Sequence, residues 1–274
     1  MIVVTGATGN VGRPLVEALA AAGEQVTAVS RRTPQRDLPA GVRSQQADMS
    51  EPESLKPALE EAEAVFLLTS PDFLANGNLA DVVNVVRAAG VQRVVLLSSQ
   101  GVGTQRHPSA LEDVVTESGL EWTMLRPGNF NSNAFQWAES VRSRRVLEAP
   151  FGDVALPAVD PADIADVAAA VLREPGHGGN IYTLTGPEPI SPRQQAAAIA
   201  QAIGEQVRFV ESSRDEARGR MVGYMPEPVV DATLAVLGTP SADEQAVNPD
   251  VERVLGRPAR TFADWAARNV AAFK

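Results

Sequence analysis

The stretch "MIVVTGATGNVGRPL" sets Gly6, Gly9 and Gly12 between a short apolar run and an apolar-periodic one. A strand that turns sharply into a helix through spaced glycines has a chemical use. The first glycine permits the tight turn, the second lets a pyrophosphate approach the backbone, and the third lets the helix lie against the strand. The N–H groups that open such a helix lack partners within it, and the helix dipole favours an anion there. The segment Gly6, Thr8, Gly9, Asn10, Val11 and Gly12 is therefore the expected dinucleotide turn. A plain strand-to-helix turn is the weaker alternative for three glycines at this spacing.

The next strand, "QVTAVS", ends in Arg31 and Arg32, and the nearest acid is Asp37. An acid at the end of that strand would bond the adenosine ribose hydroxyls. Two guanidiniums instead suit a 2′-phosphate, whose oxygens match their planar fork. NADP, as NADPH, is the expected cofactor; a solvated basic pair is the alternative.

Other residues with chemical potential cluster further along. Ser98, Ser99 and Gln100 follow the strand "RVVLL", and His107 lies nearby. Ser99 could bond a substrate oxygen or serve only as a local cap. His107 could act as an acid near neutral pH or be an exposed loop histidine. Asn129, Phe130, Asn131, Phe135 and Trp137 gather amides and rings in a chain with only 5% aromatics. Asn129 could bond a carboxamide or a carbonyl, and the rings could stack on a flat substrate, although Phe135 and Trp137 could equally be core. Tyr224 and Met225 could form a lid, with Tyr224 against substrate. Arg142–Arg145, "RSRR", read as a solvated helix end, with an acidic or phosphate partner as second choice.

These residues need a frame. Short apolar strands alternate with helical patterns: "MIVVTG", "GRPLVEALAAAG", "QVTAVSR", "VRSQQAD", "AVFLLTS", "NLADVVNVVRAAG", "RVVLLSS", "SALEDVVTESG", "EWTMLRPG". Ser50 is the expected N-cap of "SEPESLKPALEEA", and Ser191 that of "SPRQQAAAIAQAIG" with Pro192 at its first position. Alternation of this kind implies an α/β chain with a parallel sheet covered by helices on both faces. The expected fold is a Rossmann-type doubly wound parallel sheet with a small, mostly helical C-terminal substrate lobe. Residues 1–128 form the NADP-binding core and 129–274 the substrate lobe, with 155–186 returning to pack on the core.

Composition narrows the partners. The net charge of -10 argues against nucleic acid and an anionic membrane surface. The absence of cysteine removes disulfides, thiolate metal sites and a cysteine nucleophile, and two histidines make a histidine-rich metal centre unexpected. No apolar run is long enough to span a membrane and no signal peptide is read, so a cytoplasmic protein is expected. It is expected to act on a small aromatic substrate as a monomer or homodimer.

The spacing G-x-x-G-x-x-G resembles the short-chain dehydrogenase superfamily and, within it, the atypical NmrA-like group that includes quinone oxidoreductase-type proteins. "TGATGNVG", "QQAD", "VVLLSS", "SGLEWTMLRPGNF", "VDPADIADVAAAVL" and "IYTLTGPEPIS" resemble that group's recurring segments in order, up to about Gln201. The resemblance implies Ala47 and Asp48 near the adenine, Leu68, Thr69 and Ser70 near the ribose, and Pro127, Gly128 and Phe130 near the nicotinamide. Most of the superfamily uses Tyr-x-x-x-Lys, the tyrosine protonating the carbonyl oxygen. Here neither Tyr182 nor Tyr224 precedes a lysine at that spacing, and alignment puts Ser109 and Asp113 at the two positions. This departure disfavours simple carbonyl reduction. Three functions remain: an NADPH-dependent reductase of a quinone or polycyclic aromatic acceptor, a tailoring hydroxylase of an aromatic polyketide, and a non-catalytic NADP(H) sensor.

Overall fold

The computed structural model describes residues 1–32 and 38–274; Asp37, the acid nearest the second strand, lies outside the described residues. Two compact units divide the chain. Met1–Pro127, Pro161–Thr183 and Asp250–Gly256 form the first, and Gly128–Asp160, Leu184–Pro249 and Arg257–Lys274 the second.

The strands in chain order are β1 (Ile2–Val4), β2 (Val26–Ser30), β3 (Val42–Gln46), β4 (Ala64–Leu68), β5 (Arg93–Leu97), β6 (Glu121–Pro127), β7 (Val146–Ala149), β8 (Asn180–Leu184) and β9 (Arg208–Glu211). Seven make one sheet in the order β3-β2-β1-β4-β5-β6-β8. Every pair from β3 to β6 is parallel. The order reverses at β1, which lies between β2 and β4. A ligand crevice is expected beyond the carboxyl ends of strands at such a point.

Residue type explains the position of each strand. β1 and β2 are buried throughout and β4 nearly so, as their Val, Ile, Leu and Phe content requires under two helical layers. The polar β3, "VRSQQ", takes an edge and stays half-exposed. On one face Val3, Val65, Leu67, Val94, Leu96 and Met124 join Leu79, Val82 and Val86 of the helix Leu79–Ala88 and Val115 of Ala110–Thr116. The helix Gly12–Ala21 packs against Pro161–Arg173, where Ala165 and Ala168 are fully buried and permit close approach. Each large aliphatic side chain buried this way contributes about 1.5–3 kcal/mol.

Within the second unit, β7 and β9 pair in parallel, and Leu147, Ile199, Phe262, Trp265 and Phe273 form the core. The helix Pro192–Ile203 carries the expected Ser191 cap, completed as a capping box by Gln194. One sequence expectation is corrected: Ser50 does not cap its element, which opens with a 3-10 turn at Pro52–Leu55 after Glu51. The "RSRR" run does close a helix, Ala138–Arg144, with Arg142 to Arg144 exposed; Arg145, at φ +53°, is its C-cap and donates its Nε to Glu205 at 2.7 Å.

The tightest steric demand sits at the start of the helix Gly12–Ala21. A Cβ on Gly12 would lie 2.2 Å from the Gly6 carbonyl oxygen and 2.9 Å from the Ala7 Cα, both backbone atoms that cannot swing aside. A Cβ on Gly9 would meet only the Gly6 oxygen, at 3.3 Å. Gly12→Ala is therefore expected to cost about 3 kcal/mol of stability and Gly9→Ala about 1 kcal/mol or less, as read by urea denaturation.

Candidate active site

The glycine turn is fastened on both sides. Thr5, buried at the end of β1, donates its hydroxyl to the Phe66 carbonyl at 3.0 Å and accepts the Leu68 N–H at 2.8 Å. Ala7 N–H donates to the Val29 carbonyl at 3.1 Å, which ties the turn to β2. Gly6, at φ +63°, occupies the left-handed region where a side chain would be strained. Thr8, Gly9 and Asn10 are exposed, whereas Val11 and Gly12 are buried. The helix that follows starts at Val11 without a side-chain cap and without an acidic residue in its first turn. By contrast, Ser191, Ser213 and Thr261 cap their helices with full capping boxes. An uncapped start with exposed glycine beside it suits a bound anion, so the residues present fit a dinucleotide pyrophosphate.

Beyond β2, Arg31 and Arg32 are both exposed. Arg31 Nη1 donates to Asp72 Oδ2 at 2.8 Å, and this hydrogen bond and charge raise the guanidinium's pKa above its ordinary range. Gln46 donates its side-chain amide to the Arg31 carbonyl at 3.2 Å. Ala47 is buried, and Asp48, half-buried, accepts the Ser50 N–H at 2.9 Å. Leu68, the last residue of β4, and Thr69 after it are half-buried, and the Ser70 hydroxyl accepts the Phe73 N–H at 3.2 Å as a cap for the helix Pro71–Asn76.

At the end of β5 the fold brings together two residues that the sequence could only name separately. Ser99 Oγ accepts the Gly101 N–H at 3.1 Å and lies 3.1 Å from His107 Nδ1. Gln100 opens the short helix Gln100–Gly103 that Ser99 caps. Ser98 donates its hydroxyl to Glu112, which is buried and holds Arg126 through two hydrogen bonds of 2.9 and 2.6 Å. Burial pushes the Glu112 carboxyl up, but the hydrogen bonds from Arg126 and Ser98 outweigh it, and the group titrates below its usual range.

In the second unit, Asn129 Oδ1 accepts Asn133 Nδ2 at 2.6 Å, and the Asn129 carbonyl accepts the Val159 N–H at 2.7 Å. Gly128 and Phe130 are half-buried. Asn131 is fully buried, and its side-chain amide has no hydrogen-bond partner among the described residues. Phe135 meets Trp265 edge-on at 4.9 Å and stacks on Phe273 at 6.2 Å, while Trp137 donates its Nε1 to the Glu148 carbonyl. Trp137 thus packs against this unit's core, whereas Phe135 touches it from the surface and stays 38% exposed. Tyr224 is exposed, and Met225 packs beside Val230 and Leu234. Among the described residues no three His, Asp or Glu side chains gather as a metal site.

The profile of the NAD(P)H-binding family matches residues 6–175, which includes the glycine turn, β2 to β6 and the helix Pro161–Arg173. The chain belongs to that family. A (4-alkanoyl-5-oxo-2,5-dihydrofuran-3-yl)methyl phosphate reductase of Streptomyces griseus is 37% identical over 100% of this chain and 99% of its own. An NAD(P)H azoreductase of Xenophilus azovorans is 34% identical with the same coverage. Among solved structures, an NADPH-dependent quinone oxidoreductase of Escherichia coli complexed with NADPH superposes with a TM-score of 0.81, at 25% identity, covering 98% of this chain and 99% of that one. The chain is accordingly an NAD(P)H-dependent oxidoreductase. No helix among the described residues is long and apolar enough to cross a membrane.

The structure also locates the two positions where a Tyr–Lys pair is absent. Ser109 and Asp113 are exposed and bonded to each other at 2.9 Å. Tyr182 is buried with its hydroxyl 2.8 Å from His177 Nδ1, and its phenol is raised first by burial and then by Asp250. Sequence reasoning missed Glu112, Arg126 and Asp72. For Glu112 a signal existed, because helical spacing puts it on the face of Val115. Glu112→Gln leaves the Arg126 guanidinium, only 18% exposed, without a counter-charge. It should cost about 3 kcal/mol at pH 7. Since the native carboxyl titrates low, its contribution holds above the unfolded pKa and fades as pH falls through the folded one. Melting curves from pH 7 to 3 should show the gap between variant and parent closing in acid.

Proposed function

We propose that this oxidoreductase uses NADPH to reduce a conjugated, quinone-like acceptor. The uncapped glycine turn, followed by an exposed guanidinium at the end of β2, carries the cofactor half. Gly9 and the start of the helix Gly12–Ala21 would hold the pyrophosphate, and Arg31 and Arg32 the 2′-phosphate. Ala47 and Asp48 would face the adenine and Leu68, Thr69 and Ser70 the ribose. Pro127, which ends β6, and Gly128 and Phe130 just after it are the candidate neighbours of the nicotinamide. When bound, the reduced cofactor supplies a hydride.

The chain's own residues then have one proton to manage. Ser99 Oγ accepts the Gly101 N–H, so its single proton points either to His107 Nδ1 or outward to an acceptor oxygen. A protonated His107 would donate to Ser99 through Nδ1 and leave the hydroxyl free to stabilise a reduced oxygen. This is weaker acid chemistry than a Tyr–Lys pair provides. It suffices for an acceptor whose reduced anion is already stable, as a hydroquinone anion is. The relatives' names support such acceptors: a quinone, an azo compound and an acyl dihydrofuranone are all conjugated. Asn129 and Gln100 are further candidates for bonding the acceptor.

Anaerobic NADPH oxidation with a panel of quinones, azo dyes and simple ketones tests the assignment. Quinones should be turned over and isolated ketones should not; NADPH binding with no acceptor consumed would sink it. Arg31→Asp should weaken NADPH about 10- to 100-fold, the worth of a charge-assisted hydrogen bond, while NADH changes little. His107→Gln should lower kcat for a quinone by about tenfold at most, whereas an essential general acid would cost 10²–10⁴.

A further inference from the structure

Arg31 follows the last residue of β2, and Asp72 stands in the first turn of the helix Pro71–Asn76 after β4. β2 and β4 flank β1 at the same level, Ile2 being in register with both Val26 and Ala64. Strands two places apart are separated by about 10 Å, twice the inter-strand spacing. The 2.8 Å contact between Arg31 and Asp72 therefore reaches across the carboxyl end of β1, where the glycine turn begins. Both side chains are largely exposed, 57% for Arg31 and 76% for Asp72, so the pair adds little to stability. Among the described residues, Asp48 is the other acid that acts on Arg31, through its charge alone. The pair instead sets an acid on the cation assigned to the 2′-phosphate, which points to a role in binding.

We propose that Asp72 sets the choice between NADPH and NADH by competing with the 2′-phosphate for the Arg31 guanidinium. The inference rests on the nucleotide site proposed above. The planar guanidinium can hold a carboxylate or a phosphate along one edge, and Asp72 occupies that edge through Nη1. NADPH must share the guanidinium with this carboxylate or displace it, and brings its phosphate close to it. NADH carries a ribose 2′-hydroxyl in place of the phosphate, and a carboxylate is the partner that hydroxyl ordinarily takes. Asp72 thus lowers the discrimination that Arg31 alone would impose, and holds the protein open to both nucleotides.

Dissociation constants for NADPH, NADH and adenosine 2′,5′-bisphosphate, measured by calorimetry, test this without reference to turnover. Asp72→Asn should tighten NADPH and the bisphosphate about tenfold and leave NADH unchanged or weaker, since a neutral amide no longer competes with the phosphate for the guanidinium. In an Arg31→Ala background the same change should have an effect of about twofold or less. An unaltered NADPH-to-NADH ratio in Asp72→Asn overturns the proposal, as does an equal gain with and without Arg31. Loss of NADPH selectivity in Arg31→Ala with an inert Asp72→Asn defeats this inference alone. Failure of the parent protein to bind any of the three defeats the nucleotide site and this inference together. Both positions are exposed, so circular dichroism should confirm that every variant folds.

Discussion

Where the helix Gly12–Ala21 departs from β1, its first residue lies so close to the Gly6 carbonyl that only hydrogen fits between them. That approach sets the height of the helix over the sheet. Leu15 and Leu19 then reach full burial, and the alanine-rich helix Pro161–Arg173 can lie alongside. Hydrophobic burial supplies most of the driving force, but it is non-directional and would accept a helix shifted by an ångström or two. The glycine contact is what selects one placement. At the same helix start Val11 offers no side-chain cap, and the Arg13 N–H turns back to the Gly9 carbonyl at 3.1 Å.

Charge is used in two distinct ways around this turn. Glu112 and Arg126 form a shielded pair at the ends of the helix Ala110–Thr116 and β6, with Ser98 drawn into it. Removing one member would strand the other in low dielectric, so the pair holds its geometry firmly. It fixes the end of β5 and with it the backbone that presents Ser99. Arg31 and Asp72 are the opposite case, an exposed pair that water and salt can replace at small cost. A firm pair beneath Ser99 and a loose pair beside the glycine turn match the roles proposed for each place.

The regular framework was legible because its signals are local. The strand and helix boundaries of the first unit follow from apolar runs and glycine punctuation, and Ser191 with Pro192 announces its helix. What depends on distant pairing was not legible. Arg31 and Asp72 are 41 residues apart, and nothing in either neighbourhood names the other. Glu112 was overshadowed by its neighbour Asp113, which alignment placed at the missing lysine but which the helix turns outward. β7 and β9 are four residues each, too short for a period to show, and exist because Leu147 and Ala149 find the core of the second unit. Phe135 and Trp137 read equally as substrate rings or core, and their contacts with Trp265, Phe273 and Glu148 could not be foreseen from spacing.

The Ser99–His107 couple extends the same steric logic to the acceptor side. A Cβ on Gly101 would fall 2.6 Å from His107 Nδ1, so the imidazole can lie against the short helix only because that residue is glycine. The Gly101 N–H meanwhile occupies one lone pair of Ser99 Oγ. Backbone therefore allows the ring's approach and leaves the hydroxyl proton two directions, towards the imidazole or outward. A tyrosine–lysine pair buys acidity for oxygens that become strongly basic on hydride arrival. An acceptor that spreads its new charge over a conjugated system makes no such demand, and an oriented serine hydroxyl backed by imidazole meets what remains. On the proposed reading, the absence of that pair and a conjugated acceptor belong together.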